Sequence, residues 1–198
     1  MFITILRHGK PEFNWARSVK GSEIRSLEKA YDSAGIVDEP PVELQNLAGH
    51  HNCVVCSDLL RSIQSAQAVG ATKIHFSEST FREMNIPYFA NIPIKLPVKV
   101  WVSTLRILWF LGLSKNTESI SVAKSRAKFA SEKLIDLASE HESVLFVGHG
   151  ILNHADSTLK CEFKITSQAA ALRLPIKTSL GVLNPKLFLG RLLSFSIT

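Results

Sequence analysis

Three short runs, Phe2–Leu6, Cys53–Cys56 and Val144–Val147, are apolar or β-branched throughout instead of at every second position. A strand with one wet face alternates, whereas an unbroken apolar run suits a strand buried on both faces, as in parallel sheets. In open α/β sheets the ligand crevice lies just beyond the carboxyl ends of the strands. The first run leads into Arg7-His8-Gly9 and the third into His149-Gly150. Either histidine alone would read as a satisfied imidazole at a strand end. Two buried strands that each close on histidine and then glycine read together as a site.

Other segments supply helices around these strands. Asp58–Val69 follows the second run at once, with Ser57 or Asp58 able to cap it, Leu59, Ile63, Ala66 and Val69 near one face, and Gly70 as its stop. Its N-terminus points at the same crevice as His8. The free N–H groups there favour an anion, and Arg61 sits in the first turn. Glu118–His141 is the clearest helix, with Val122, Phe129, Ala130, Leu134, Leu137 and Ala138 recurring at helical spacing, and it is expected to cover one face of the sheet. Lys73–Ser77 alternates weakly and reads as a further strand, and Val98–Leu113 has the pattern of an amphipathic helix. Pro11–Pro41 is polar, with a short helix near Ser26–Ser33, and a connection of this length is expected to border the site. Val42–Ala48 reads as a short helix leading to His50-His51, an exposed pair with no third ligand nearby.

At 198 residues, 45% hydrophobic and 20% charged, the chain suits one globular domain. Its net charge of +6 favours anionic partners, but the basic residues form no dense run, so nucleic acid is not expected. Cys53, Cys56 and Cys161 are too few for a disulfide framework and fit a reducing compartment. Side chains three apart on a strand point to opposite faces, so Cys53 and Cys56 read as buried thiols and not as metal ligands. Met1 leads straight into the first strand with no signal-peptide pattern. The apolar region Ile92–Leu113 is interrupted by Lys95, Pro97, Lys99 and Arg106, too often to span a bilayer. A soluble, cytoplasmic protein with no membrane partner is expected.

Arg7-His8-Gly9 with Asn14 resembles the signature of the histidine phosphatase (phosphoglycerate mutase-like) superfamily. Ser57-Asp-Leu-Leu-Arg-Ser-Ile-Gln-Ser-Ala66 is similar to that superfamily's far more specific second motif, Phe81-Arg-Glu83 to its proton-donor motif, and Val147-Gly-His-Gly150 to its last one. All four stand in the family's order. The resemblance implies a three-layer α/β/α sandwich around a mainly parallel sheet. It also implies a single domain over 1–198, with a cap-like insertion at about 85–117. After about residue 153 it fades, and the tail to Thr198 reads either as a divergent extension or as an end altered by a frameshift.

The chemistry implied is metal-independent hydrolysis of phosphate monoesters through a phosphohistidine, with no cofactor. His8 would be the nucleophile, its tautomer set by a nearby carbonyl such as that of Gly9. Arg7 and Arg61 would grip the phosphate oxygens, His149 would donate a further hydrogen bond, and Asn14 would be a lesser member of the cradle. Glu83 would protonate the leaving alcohol and later deprotonate water, although its neighbour Glu78 is not excluded. The substrate would be a phosphorylated small molecule or a phosphoprotein. The other readings are a mutase-type phosphotransferase, and a phosphate-ligand or protein-binding module of the same fold without turnover. Lys10-Pro11 replaces the acidic-then-hydroxyl pair that often follows the triplet in mutases, which leans towards hydrolysis.

Overall fold

The computed structural model describes residues 1–150 and 193–196. In chain order its strands are β1 (Phe2–Arg7), β2 (Ser18–Lys20), β3 (Cys53–Ser57), β4 (Phe76–Glu78), β5 (Lys95–Pro97), β6 (Ser143–Gly148) and β7 (Leu193–Ser196). The helices are α1 (Ile24–Asp32), α2 (Leu60–Ala68), α3 (Val98–Phe110) and α4 (Ile120–His141). Five strands form the central sheet in the order β4-β3-β6-β1-β7, with β7 antiparallel to β1 and the other pairs parallel. The sequence reading assigned no strand near β7. The remainder of the tail lies outside the described residues.

Alternation of side chains across the pleat produces two cores. On one face Ile3, Ile5, Cys53, Val55, Val144 and Phe146 pack against Ala123, Ala127, Ala130, Leu134, Leu137 and Ala138 of α4. On the other, Leu6, Val54, Cys56, Leu145 and Val147 pack with Ala66 and Val69 at α2. The result is the expected α/β/α layering, and Cys53 and Cys56 do lie on opposite faces. β6 pairs with both β1 and β3, and the register sets Arg7 level with Gly148. His8 and His149 therefore emerge side by side at the carboxyl edge.

Several expectations need correction. The stripe that α4 buries omits Val122 and Phe129, both more than half exposed, because the alanines beside them face the sheet. Neither Ser57 nor Asp58 caps α2. Its N-cap is Leu59, without a side-chain bond. Asp58 instead accepts from Arg82, Nε to Oδ1 at 2.6 Å and Nη2 to Oδ2 at 2.8 Å, and Ser57 turns inward. The β4 strand starts later than Lys73, although His75 already exchanges bonds with the Val54 backbone, N–H to O at 2.9 Å and Nδ1 from N at 3.0 Å. Val42–Leu44 and Leu47–His50 are separate 3-10 turns. His50 is exposed, but His51 is half-buried and bridges the Leu47 carbonyl (2.9 Å) and Thr4 Oγ1 (2.7 Å).

A third core stands outside the sheet. β5 pairs antiparallel with β2 and feeds α3, whose Val98, Trp101 and Leu105 pack with Val19, Ile24, Leu27 and Ile86. The Trp101 Nε1–H donates to the Val19 carbonyl at 3.0 Å, tying α3 to β2. At the other end of α3, Trp109 is 1% exposed and joins the α4 face of the sheet, donating to the Glu118 carbonyl at 2.8 Å. The 85–117 segment is thus pinned at both ends, close to the polar connection that follows β1.

Candidate functional site

His8 leaves β1 at its carboxyl end and is 8% exposed. Its Nδ1 lies 2.7 Å from the Gly9 carbonyl oxygen, which can only accept. The proton of the neutral ring is therefore on Nδ1, and Nε2 carries the lone pair. Burial lowers the imidazole pKa to about 4, more than the Gly9 carbonyl raises it, and the Arg61 and Arg7 cations push in the same direction as burial. At neutral pH the ring is uncharged. The Gly9 N–H donates to Ser65 Oγ on α2 at 2.9 Å, fixing the turn that carries His8 against that helix.

His149, wholly buried, leaves β6 beside it, with the two ring centroids 4.9 Å apart. Burial first, then the charge of His8 when it is protonated and those of Arg61 and Arg7, hold it far below the usual imidazole range, so it too is neutral. Its Nε2 is 2.7 Å from Ser57 Oγ and 3.3 Å from Ser62 Oγ, and these hydroxyls are 2.9 Å apart. Its Nδ1 is buried without a partner. Two proton arrangements fit these distances. If Nε2 carried the proton, Nδ1 would present a buried lone pair that no anion could satisfy. If Nε2 accepts from a serine hydroxyl, Nδ1–H becomes a donor for a ligand anion, and the orphan atom is explained.

Arg61 rises from the first turn of α2 and is 1% exposed. Its Nη1 donates to the Tyr31 carbonyl at 2.9 Å, both Nη atoms reach Asp32 Oδ1 at 3.4 Å, and the guanidinium stacks on the Tyr31 ring at 4.4 Å. Its Nε is buried with no partner. Asp32 is held above the usual carboxylate range by burial, against the pull of Arg61. Arg7 is exposed at the end of β1, over the backbone of Gly150, where a Cβ would come within 3.2 Å of its Cζ. Arg7, Arg61, His8 and His149 thus converge, as the sequence indicated.

The other two expected residues are placed less centrally. Asn14 is exposed, and its Oδ1 accepts from the Ala16 N–H at 2.9 Å, closing a local turn. Glu83 is half-buried in the chain that follows the Ser79–Phe81 turn. Its Oε1 accepts from the Met84 N–H at 3.0 Å, and its charge is felt by Tyr31 and by Arg106. Glu78 is turned away, paired with Lys133 at 2.6 Å. Sequence reasoning did not anticipate Ser57 and Ser62 as partners of His149, nor Tyr31 and Asp32 as partners of Arg61. The serines stood inside a recognised motif and offered a signal. Tyr31 and Asp32 stood in an unremarkable polar stretch.

Among the described residues, no group of three or more His, Cys, Asp or Glu side chains is placed to hold a metal ion, and no helix is long and apolar enough to cross a membrane. A mainly parallel sheet with paired histidines and arginines at its carboxyl edge defines an α/β protein with a cationic, imidazole-bearing cluster at the strand ends. The chain belongs to the histidine phosphatase superfamily (branch 1), whose family model matches residues 3–158. Among solved structures, YhfR of Bacillus stearothermophilus is similar over 80% of this chain and 79% of its own, with a TM-score of 0.54 at 16% identity. A mycobacterial glucosyl-3-phosphoglycerate phosphatase, Rv2419c, solved in complex with VO3, covers 81% of this chain and 82% of its own, with a TM-score of 0.52 at 19% identity. The product of the open reading frame Rv3214 of Mycobacterium tuberculosis covers 78% and 76%, with a TM-score of 0.52 at 19% identity. No curated protein matches the chain.

Proposed function

We propose that this protein is a phosphomonoesterase that works through a phosphohistidine on His8 and needs no metal. The observation that carries this reading is the bond from His8 Nδ1–H to the Gly9 carbonyl, 2.7 Å long, which leaves the Nε2 lone pair free beside Arg7, Arg61 and His149. In the first step Nε2 attacks phosphorus and the bond to the leaving oxygen breaks. Glu83 gives that oxygen its proton. In the second, water attacks the phosphohistidine, Glu83 takes the proton of the water, the N–P bond breaks, and inorganic phosphate departs with His8 neutral again. The charge on the transferring group is met by the guanidinium forks of Arg7 and Arg61 and by His149 Nδ1–H. The amide nitrogen of Asn14 is a further donor at the rim.

The 85–117 segment forms the outer wall of the pocket within one domain, and the substrate is a phosphorylated small molecule. That Rv2419c is a phosphatase of the same fold supports hydrolysis. The buried free thiols Cys53 and Cys56 fit a reducing, cytoplasmic setting. The test is hydrolysis of p-nitrophenyl phosphate with EDTA present, comparing wild type with His8→Ala. Turnover that survives chelation and disappears in the variant supports the proposal. Turnover that EDTA abolishes, or that the variant retains, overturns it. Vanadate binding without turnover would identify a silent module.

A further inference from the structure

The chain around Glu83 is held by two arginines that no recognised motif contains. From α4, Arg126 donates Nη1 to the carbonyls of Thr80 (2.9 Å) and Arg82 (2.8 Å), while Glu118 holds its other side at 2.5 and 3.1 Å. From α3, Arg106 donates Nη2 to the Met84 carbonyl at 2.7 Å and Nη1 to the Asn85 carbonyl at 3.3 Å. The residues on both sides of Glu83 are therefore fixed through their backbone, one side from each helix. Arg106 also faces three carboxylates, Glu83, Glu28 and Glu118, and lies 5.3 Å over the Trp109 ring. Glu28, on α1, accepts from the Ile86 N–H at 3.4 Å, so a carboxylate completes the clamp on the far side of Asn85.

We infer that Arg106 is a positioning residue for Glu83, and that it couples the α3 helix to proton transfer. This rests on the proposed role of Glu83 as general acid. A guanidinium can serve two successive carbonyls because its donors diverge in a rigid plane; an ammonium at the same place keeps the charge but not the fork. Without the fork, the Met84 and Asn85 carbonyls lose their shared partner, and the carboxyl group carried by the adjoining Glu83 backbone loses its aim at the leaving oxygen.

The signature of a misplaced general acid is dependence on the leaving group. An alkyl phosphate needs a proton on its departing oxygen, whereas p-nitrophenolate leaves without one. The experiment measures kcat/KM, which reports the first phosphoryl transfer, on benzyl phosphate and p-nitrophenyl phosphate. It compares wild type, Glu83→Gln, Arg106→Met, Arg106→Lys and the Glu83→Gln/Arg106→Met double variant. Arg106→Met is expected to lower kcat/KM about tenfold or more on benzyl phosphate and less than about threefold on p-nitrophenyl phosphate, a fraction of the effect of a general acid. Arg106→Lys should recover only part of the loss. In the Glu83→Gln background Arg106→Met should cost little more, since both changes disable one device. Equal losses on both substrates, or additive losses in the double variant, would show Arg106 to be merely structural. If Glu83→Gln itself shows no preference for the leaving group, the general-acid assignment fails and this inference falls with it.

Discussion

Ser57→Ala tests the proton arrangement at His149. Ser57 Oγ is 2.7 Å from Nε2, and both residues are fully buried, so water cannot replace the lost hydroxyl. The two neutral tautomers of imidazole are close in energy, and the serine hydroxyls at Nε2 bias the choice, Ser57 at 2.7 Å more than Ser62 at 3.3 Å. A neutral hydrogen bond contributes about 1 kcal/mol net, which corresponds to roughly a fivefold population ratio, since 1.4 kcal/mol is about tenfold. Ser57→Ala should therefore drop the Nδ1–H tautomer from about five sixths of the population to about half, and lower kcat/KM by about twofold or less. Removing the donor altogether in His149→Ala should cost about a hundredfold or more, as loss of an oxyanion-hole donor does. In the His149→Ala background Ser57→Ala should then change little. Nitrogen-15 spectra of the histidine side chains supply the direct check: Nδ1 of His149 is protonated in wild type, and the tautomers mix in Ser57→Ala. A wild-type spectrum with the proton on Nε2, or an unchanged tautomer ratio in Ser57→Ala, would refute the reasoning.

Three further expectations follow from burial and close contact. His8 titrates at about 4 in the fold against an ordinary value near 6.5. The unfolded chain therefore binds its proton first as pH falls, and stability is lost from pH 6.5 towards 4, by about 3 kcal/mol for this ring. Glu28, raised to about 7 by burial and by Asp32, works in the opposite direction between its ordinary value and 7, so the His8 contribution is best isolated by difference. Urea unfolding at stepped pH should show a shallower acid-side decline in His8→Ala than in wild type; parallel curves would contradict the burial of a neutral ring. Cys53 and Cys56, both pushed up to about 11 by burial, should resist iodoacetamide in native buffer and react only after unfolding, as read by peptide mass spectrometry. Gly150→Ala places a methyl group 3.2 Å from the Arg7 guanidinium carbon, which must then shift by a few tenths of an ångström. Vanadate affinity should fall by about two- to fivefold with the melting temperature little changed, a loss within the range of one weakened hydrogen bond.

The sheet and the convergence of its termini were legible in the sequence because apolar runs stop abruptly at cations and imidazoles. A run such as Val144–Val147 followed by Gly148-His149-Gly150 carries both its burial and its place at the strand end in the residue types themselves. Helix phase was less legible. Val122 and Phe129 have the right chemistry for a core, but the small alanines of α4 are what lie against the sheet. Bonds between distant segments were illegible. Ser57 looks like a helix cap when read locally, and only the fold brings it to His149, 92 residues away. Tyr31 and Asp32 reach Arg61 because Pro11–Pro41 folds back along α2, and Arg106 reaches the Met84 carbonyl across 22 residues. Periodicity reports which face of an element is buried; it does not report which polar atom meets which.

The most direct test of the central proposal is to trap the covalent intermediate. Wild type and His8→Ala, each with EDTA, are mixed with a phosphorus-32-labelled monoester and quenched in alkali within the first turnover. Protein-bound label that is stable to alkali, lost in acid, mapped to the His8 peptide and absent from the variant is the expected result. Label on another residue, or turnover in wild type with no labelled protein at any quench time, would contradict a phosphohistidine on His8.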